Sequence, residues 1–256
     1  MATITEAVIL MAGTGSRLRA AGDSLHKPLV PIRGRPLISY TLDSLLAVGI
    51  KTLHVVVGWE SAALLKGLAP LIPAGIRLHP IENPEWEKQN GVSLLSAAPH
   101  LTSPFLLLMG DHLFEERLLA AFVREADPAL LNLAIDRKID SIFDLDDAMK
   151  VRTEGERVVA IGKTLTDYNA IDTGIFVCPP GIFVYLERAL QNGDCSLADG
   201  VRLMAANDKM RALEIGDAWW QDVDDGSMLA EADGEAVRLT APGLEREQSA
   251  DRGDRA

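Results

Sequence analysis

Ala7-Val8-Ile9-Leu10-Met11 runs directly into Ala12-Gly13-Thr14-Gly15-Ser16-Arg17-Leu18, and this junction decides the fold. Five apolar residues without polar alternation predict a strand buried on both faces, as in a parallel sheet. The glycines that follow allow the backbone to turn sharply and to present successive N–H groups to an anion. Outward from this junction, residues 37–48 carry apolar side chains at helical spacing and stop at Gly49, a good C-terminal cap. Leu53-His54-Val55-Val56-Val57, residues 76–81 and Phe105-Leu106-Leu107-Leu108-Met109 read as further strands, with a short helix over 61–68. Strand and helix alternate at short intervals, so an α/β chain with a doubly wound, mostly parallel mixed sheet is expected.

After about residue 130 the pattern changes. Lys150-Val151-Arg152 and Val158-Val159-Ala160-Ile161 flank Glu154-Gly155-Glu156, which reads as a hairpin. Gly174-Ile175-Phe176-Val177 is a later strand, and residues 182–190 and 197–206 are helical. The expectation is one domain over residues 1–241, with a nucleotide-binding half (1–129) and a more antiparallel acceptor-binding half (130–241). Residues 242–256 turn polar and charged and are expected to be a disordered tail.

The composition narrows the partners. A chain of 256 residues, 48% apolar, is long enough to bury a large core. Its net charge of −12 argues against a broad nucleic-acid-binding face, which needs clustered Lys and Arg. A single nucleotide needs only a few cations, backbone donors and a metal ion. No apolar run reaches the roughly 20 residues that span a bilayer. The opening Met1-Ala2-Thr3-Ile4-Thr5-Glu6 lacks the features of a signal peptide. Cys178 and Cys195 have no metal-type spacing. A cytoplasmic protein with small-molecule partners and no membrane insertion is expected, and a homodimer is compatible with that reading.

Three motifs carry chemistry. In the first, Arg17 and Lys27 (the latter in Lys27-Pro28-Leu29) can add charge-assisted contacts to phosphate oxygens beside the glycine loop. The loop is neither a Walker A sequence nor a full dinucleotide fingerprint, because Leu18 replaces the third glycine. In the second, Gly110-Asp111-His112 ends the fourth strand, where ligands of open α/β sheets collect. The third is Trp219-Trp220-Gln221-Asp222-Val223-Asp224-Asp225. Mg²⁺ takes one or two protein carboxylates and completes its octahedron with phosphate oxygens and water. Asp111 and Asp224 suit that role, with Asp222 behind them. Read singly, each motif could be an ordinary turn or a solvated charge; together, at these positions, they point to a nucleotide site.

In this order the motifs resemble the sugar-phosphate nucleotidyltransferases, and three stretches resemble a narrower branch, the CTP:inositol-1-phosphate cytidylyltransferases. Those stretches are Met109-Gly110-Asp111-His112-Leu113-Phe114, Ala170-Ile171-Asp172-Thr173-Gly174-Ile175-Phe176 and Trp220-Gln221-Asp222-Val223-Asp224. Asn83-Pro84-Glu85-Trp86, Asn90-Gly91-Val92-Ser93-Leu94, Asp136-Arg137 and Ile161-Gly162-Lys163 fit it as well. The resemblance implies a Rossmann-like nucleotidyltransferase fold with an antiparallel substrate-side extension. It implies that Met11, Ala12, Gly13, Thr14, Gly15 and Ser16 cradle a triphosphate, with Arg17 and Lys27 as the catalytic cations. Gln89, Asn90, Gly91 and Ser93 would meet base and ribose, and Asp136, Lys163 and Asp172 would face the acceptor. Asp111 and Asp224 would hold Mg²⁺. Met11 departs from the small residue usual at its position. Some cytidylyltransferases of this branch are fused to a membrane-embedded phosphotransferase, and no segment of that kind is expected here.

The expected reaction joins CMP from CTP, or a nucleotide from another triphosphate, to a small phosphorylated alcohol with release of pyrophosphate. Inositol 1-phosphate is the first candidate acceptor; phosphocholine, a phosphonate and a sugar 1-phosphate are alternatives. Two other classes fit less well. Nucleotide-sugar glycosyltransferases of similar fold carry Asp-x-Asp where this chain has Asp111-His112-Leu113. A non-catalytic regulatory binder would have no need of both carboxylates and both cations.

Overall fold

The computed structural model describes residues 3–16, 26–235 and 239; Arg17 and the expected tail 242–256 lie outside the described residues. The first half contains β1 (Glu6–Leu10), β2 (Pro31–Ile32), β3 (Arg35–Pro36), α1 (Leu37–Ala47), β4 (Thr52–Val57), α2 (Ser61–Leu68), β5 (Arg77–Glu82), α3 (Asn90–Leu95) and β6 (Phe105–Met109). Next come β7 (His112–Phe114), α4 (Glu116–Glu125), β8 (Leu131–Asp136), β9 (Lys150–Glu154), β10 (Arg157–Gly162) and β11 (Ala170–Cys178). The chain continues through α5 (Ile182–Ala189), α6 (Leu197–Ala206), β12 (Met210–Glu214), β13 (Trp220–Asp222) and α7 (Gly226–Glu235).

One nine-stranded sheet runs through both halves in the order β5-β4-β1-β6-β11-β8-β12-β10-β9. β1 pairs in parallel with β4 on one side and β6 on the other, and β5 extends the parallel set beyond β4. Strand order therefore reverses between β1 and β6, which opens a crevice at their carboxyl ends. Beyond β6 the sheet turns antiparallel at β11, β10 and β9, and only β8 and β12 are again parallel.

Alternation along the strands builds a core on each face. Val8, Val56 and Leu107 pack with α5 and α6, whose Ile182, Leu186, Leu197 and Val201 are buried. Ala7, Ile9, Val55 and Leu106 face Ile38 and Leu42 of α1, Leu68 of α2 and Phe122 of α4. Each such Val, Leu, Ile or Phe side chain contributes about 1.5–3 kcal/mol on burial. The first helix ends where expected: Gly49 takes φ +85°, and its N–H bonds the Leu46 carbonyl. α6 begins with a capping box in which Ser196 and Asp199 satisfy each other's backbone N–H.

The structure adds elements that the sequence reading does not name, among them α4, β8 and β12, and two further features differ from it. β11 begins at Ala170, four residues before the expected strand, and runs through Gly174 at φ +73° with a register shift between Asp172 and Phe176. Strands β7 and β13 form a separate antiparallel ribbon. Each has three residues, too few for a period to show.

Candidate active site

The carboxyl ends of β1 and β6 meet at the crevice. Gly110 N–H bonds the Leu10 carbonyl at 3.1 Å, joining the two strand ends. A Cβ on Gly110 would lie 2.6 Å from Met11 Cγ, so only glycine permits this approach. Gly15 adopts φ +61°, where a side chain would be strained, and a Cβ there would lie 3.1 Å from Lys27 Cβ. Met11, Gly13, Gly15 and Ser16 line a small pocket of about 250 Å³ with Lys27, Gly110, Asp111 and Asp224. Thr14 does not line it.

Asp224 reaches this pocket through the ribbon. Trp220, Gln221 and Asp222 pair with Phe114, Leu113 and His112, and Val223 N–H then bonds the Asp111 carbonyl at 2.9 Å. Two carboxylates from distant segments thus converge on one point, which the Lys27 ammonium occupies. Lys27 Nζ lies 2.6 Å from Asp111 Oδ2 and also donates to Asp224 Oδ1. Burial alone would lower the Lys27 pKa and raise that of Asp111. Their mutual attraction reverses both: the two carboxylates raise Lys27, and Lys27 with His112 lowers Asp111. Asp222 has no such neighbour in contact, and burial followed by the charges of Asp224 and Asp111 pushes its carboxyl up despite His112. Among the described residues no three His, Cys, Asp or Glu side chains form a set able to hold a metal. Two carboxylates aimed at a cation fit an ion such as Mg²⁺, whose remaining ligands come from phosphate and water.

A larger cleft of about 740 Å³ continues from this pocket between the two halves of the sheet. Leu10, Gly13, Asp111 and Asp224 line both cavities, and Ala12 lines the larger one alone. One wall carries Trp86, Lys88, Gln89, Asn90 and Ser93. Gln89 N–H bonds Asp194 Oδ1, Asn90 Oδ1 accepts from Leu197 N–H, and Ser93 Oγ accepts from Asn83. Gly91 faces away from the cleft; a Cβ there would lie 2.6 Å from the Cys195 carbonyl, so its role is close packing of α3 against the start of α6.

The opposite wall brings Lys163 and Asp172 into the cleft together with Asp144, Asp147 and Asp222. Lys163 Nζ lies 2.5 Å from Asp147 Oδ1. Burial pushes the Asp172 carboxyl up to about 6, against the opposing effects of the Gly174 N–H and His112. Asp136, expected at the acceptor, is placed elsewhere. It is buried beneath Trp220, accepting from its Nε1 at 2.9 Å and from Lys138 N–H at 2.7 Å, and it does not line the cleft. The motif placed Asp136 near the acceptor, but the bonds that occupy its oxygens cannot be read from sequence. Asp144, Asp147 and Arg202 also line the cleft, and the sequence signals them only through the acidic run Asp144-Leu145-Asp146-Asp147.

Comparison with known proteins agrees with this fold. The MobA-like NTP transferase domain matches residues 7–139. A protein of Aquifex aeolicus described as a bifunctional IPC transferase and DIPP synthase is 29% identical over 242 residues, 94% of this chain and 54% of that protein. Its counterpart in Rubrobacter xylanophilus is 33% identical over 224 residues, 85% of this chain and 49% of that protein. The chain therefore spans about half the length of these curated relatives. The solved inositol-1-phosphate CTP transferase of T. maritima superposes with a TM-score of 0.82 at 26% identity, covering 93% of this chain and 97% of that one. The shared architecture is the Rossmann-like nucleotidyltransferase fold with a mixed sheet. Among the described residues no helix is long and apolar enough to cross a membrane.

Proposed function

Because the chain belongs to the MobA-like NTP transferase domain family, we propose that it is a Mg²⁺-dependent cytidylyltransferase that converts CTP and inositol 1-phosphate to CDP-inositol and pyrophosphate. The carrying observation is the convergence of Asp111 and Asp224 on one cationic point at the mouth of the glycine loop, at the head of a cleft ending in Lys163 and Asp172.

In the proposed reaction an acceptor phosphate oxygen attacks the α-phosphorus in line. One P–O bond forms, the bond to the β-phosphate oxygen breaks, and pyrophosphate leaves with the electron pair. The second pKa of a phosphate monoester is about 6, so the nucleophile is already ionised at neutral pH and no general base is needed. The barrier lies in bringing two anions together and in stabilising charge on the leaving oxygens. Mg²⁺ held by Asp111 and Asp224 would supply charge neutralisation at the phosphates. The backbone of Gly13, Gly15 and Ser16 orients the triphosphate, and Lys27 offers an ammonium to the oxygens that gain charge. Gln89 and Ser93 meet the nucleoside.

The acceptor wall favours a polyol. Four carboxylates, Asp144, Asp147, Asp172 and Asp222, can accept hydrogen bonds from ring hydroxyls, while Lys163 suits the phosphate. Choline would want an aromatic cage, and of the adjacent pair only Trp220 lines the cleft; Trp219 does not. The test is pyrophosphate release with the four nucleoside triphosphates against inositol 1-phosphate, phosphocholine, a 2-hydroxyalkylphosphonate and a sugar 1-phosphate. CTP with inositol 1-phosphate should give the highest kcat/KM. A different best pair replaces the substrate assignment, and no release with any pair overturns the reaction.

A further inference from the structure

We propose that His112 is a positioning residue for the acceptor: it clamps the Thr173-Gly174 corner of β11 and thereby fixes Asp172 on the cleft wall. The proposal rests on the functional reading above. His112 lies on the β7–β13 ribbon between the two ends of the cleft, next to Asp111 and opposite Asp222. Its Nδ1 is 2.9 Å from the Thr173 carbonyl oxygen. A carbonyl can only accept, so Nδ1 carries the proton and donates. Nε2 then faces Asp111 Oδ1 at 3.5 Å.

The corner is built to receive this ring. Gly174 sits at φ +73°, and a Cβ there would lie 2.3 Å from His112 Cε1 and 2.4 Å from Nδ1. Only glycine lets the imidazole lie against the backbone. The Gly174 N–H in turn donates to Asp172 Oδ1 at 2.7 Å, so the carboxylate position is set by the peptide that His112 holds. From the other side, Thr173 Oγ1 donates to the Ala134 carbonyl at 2.8 Å, and Asp172 N–H bonds the Met149 carbonyl at 2.9 Å. The register of β11 against β8 shifts between Asp172 and Phe176, so the ladder leaves this corner to be held by side chains. His112 is the clamp on the cleft side.

The test compares His112→Ala, His112→Asn and His112→Gln. The Asn amide nitrogen stands close to the place of Nδ1 and can donate to Thr173; the Gln amide stands near Nε2 and cannot. In His112→Ala the acceptor KM should rise about tenfold while the CTP KM stays within about twofold, as for loss of one positioned hydrogen bond. His112→Asn should recover most of that loss and His112→Gln should not. If the Ala variant fails to fold, the Asn and Gln variants carry the same comparison. A readout that needs no turnover is the Gly174 amide resonance, which should move in Ala and Gln and return in Asn. Equal rises in both KM values, Asn no better than Gln, or an unmoved Gly174 amide would overturn the clamp. A wild type that turns over no acceptor, with the amide behaving as stated, fails the functional reading and leaves the clamp supported.

Discussion

The two ends of the cleft are built by different means. Among the described residues, the end proposed to take the phosphates is lined by the glycine loop, with one ammonium, Lys27, and two carboxylates around it. At the acceptor end the polar groups are side chains from separate elements: Asp144 and Asp147 from a loop, Lys163 after β10, Asp172 on β11 and Asp222 on β13. A triphosphate is the same in every substrate of such a family, so a local turn suffices to bind it. An acceptor differs from enzyme to enzyme, and side chains can be exchanged without altering the sheet. On the proposed reaction, the difference would put turnover at the first end and selectivity at the second.

The sharpest way to break that division is Asp111→Ala beside Asp222→Ala. Asp111 is one of two carboxylates on the cationic point, whereas Asp222 lines the cleft wall and acts on that point only through space. Asp111→Ala should lower kcat by at least about a hundredfold, the scale of removing a preorganised electrostatic partner. Asp222→Ala should cost far less. Steady-state kinetics at saturating Mg²⁺ and CTP decide it, and near-normal turnover in Asp111→Ala would remove the metal role.

Lys27→Met comes next. Turnover at saturating substrates should drop by one to two orders of magnitude, roughly the effect of losing a charge contact that strengthens as pyrophosphate leaves. The stability effect has a defined sign. Lys27 holds the Asp111 carboxyl below its ordinary value, so the pair stabilises the fold above the unfolded carboxylate pKa of 3.8. That contribution is lost as pH falls through the folded value. The variant should therefore melt lower than wild type at pH 7, and the gap should close under acid. A gap independent of pH would mean that Lys27 serves packing alone.

The same division explains what could be read in the sequence. β1 and the glycine loop are contiguous, and burial on both faces leaves a plain signature in Ala7-Val8-Ile9-Leu10-Met11. α2 was expected over 61–68 and occupies Ser61–Leu68, because a short amphipathic helix carries its period within itself. The acceptor wall depends on long-range pairing, such as that of β7 with β13, which three-residue strands do not announce. Asp136 and Asp172 are both aspartates in motifs that resemble the family. One has its oxygens bonded to Trp220 and Lys138, and the other lines the cleft. Residue type and spacing are identical signals for the two; only the neighbours differ.

Asp172→Asn carries the smallest expected change in rate and the most specific sign. Burial raises the folded pKa of Asp172 to about 6, against an ordinary value of 3.8. Between those values the folded protein holds a proton that the unfolded chain has released, so stability falls as pH rises through this window. Above about pH 6 the wild type carries the full cost of an ionised, buried carboxylate. Asparagine keeps the shape and an acceptor for the Gly174 N–H but has no charge to bury. The variant should therefore melt higher than wild type at pH 7.5, with the difference vanishing near pH 4. Its acceptor KM should rise about tenfold, because a charge-assisted bond to a hydroxyl becomes a neutral one, while the CTP KM stays unchanged. In the wild type, kcat/KM for the acceptor should climb through about pH 6 as Asp172 and the acceptor phosphate both ionise, and the Asn variant should keep only the shallower limb of the phosphate. A variant that gains stability but loses nothing toward a polyol acceptor would leave Asp172 a buried charge without a ligand, and the acceptor end of the cleft would have to be sought around Asp144 and Asp147.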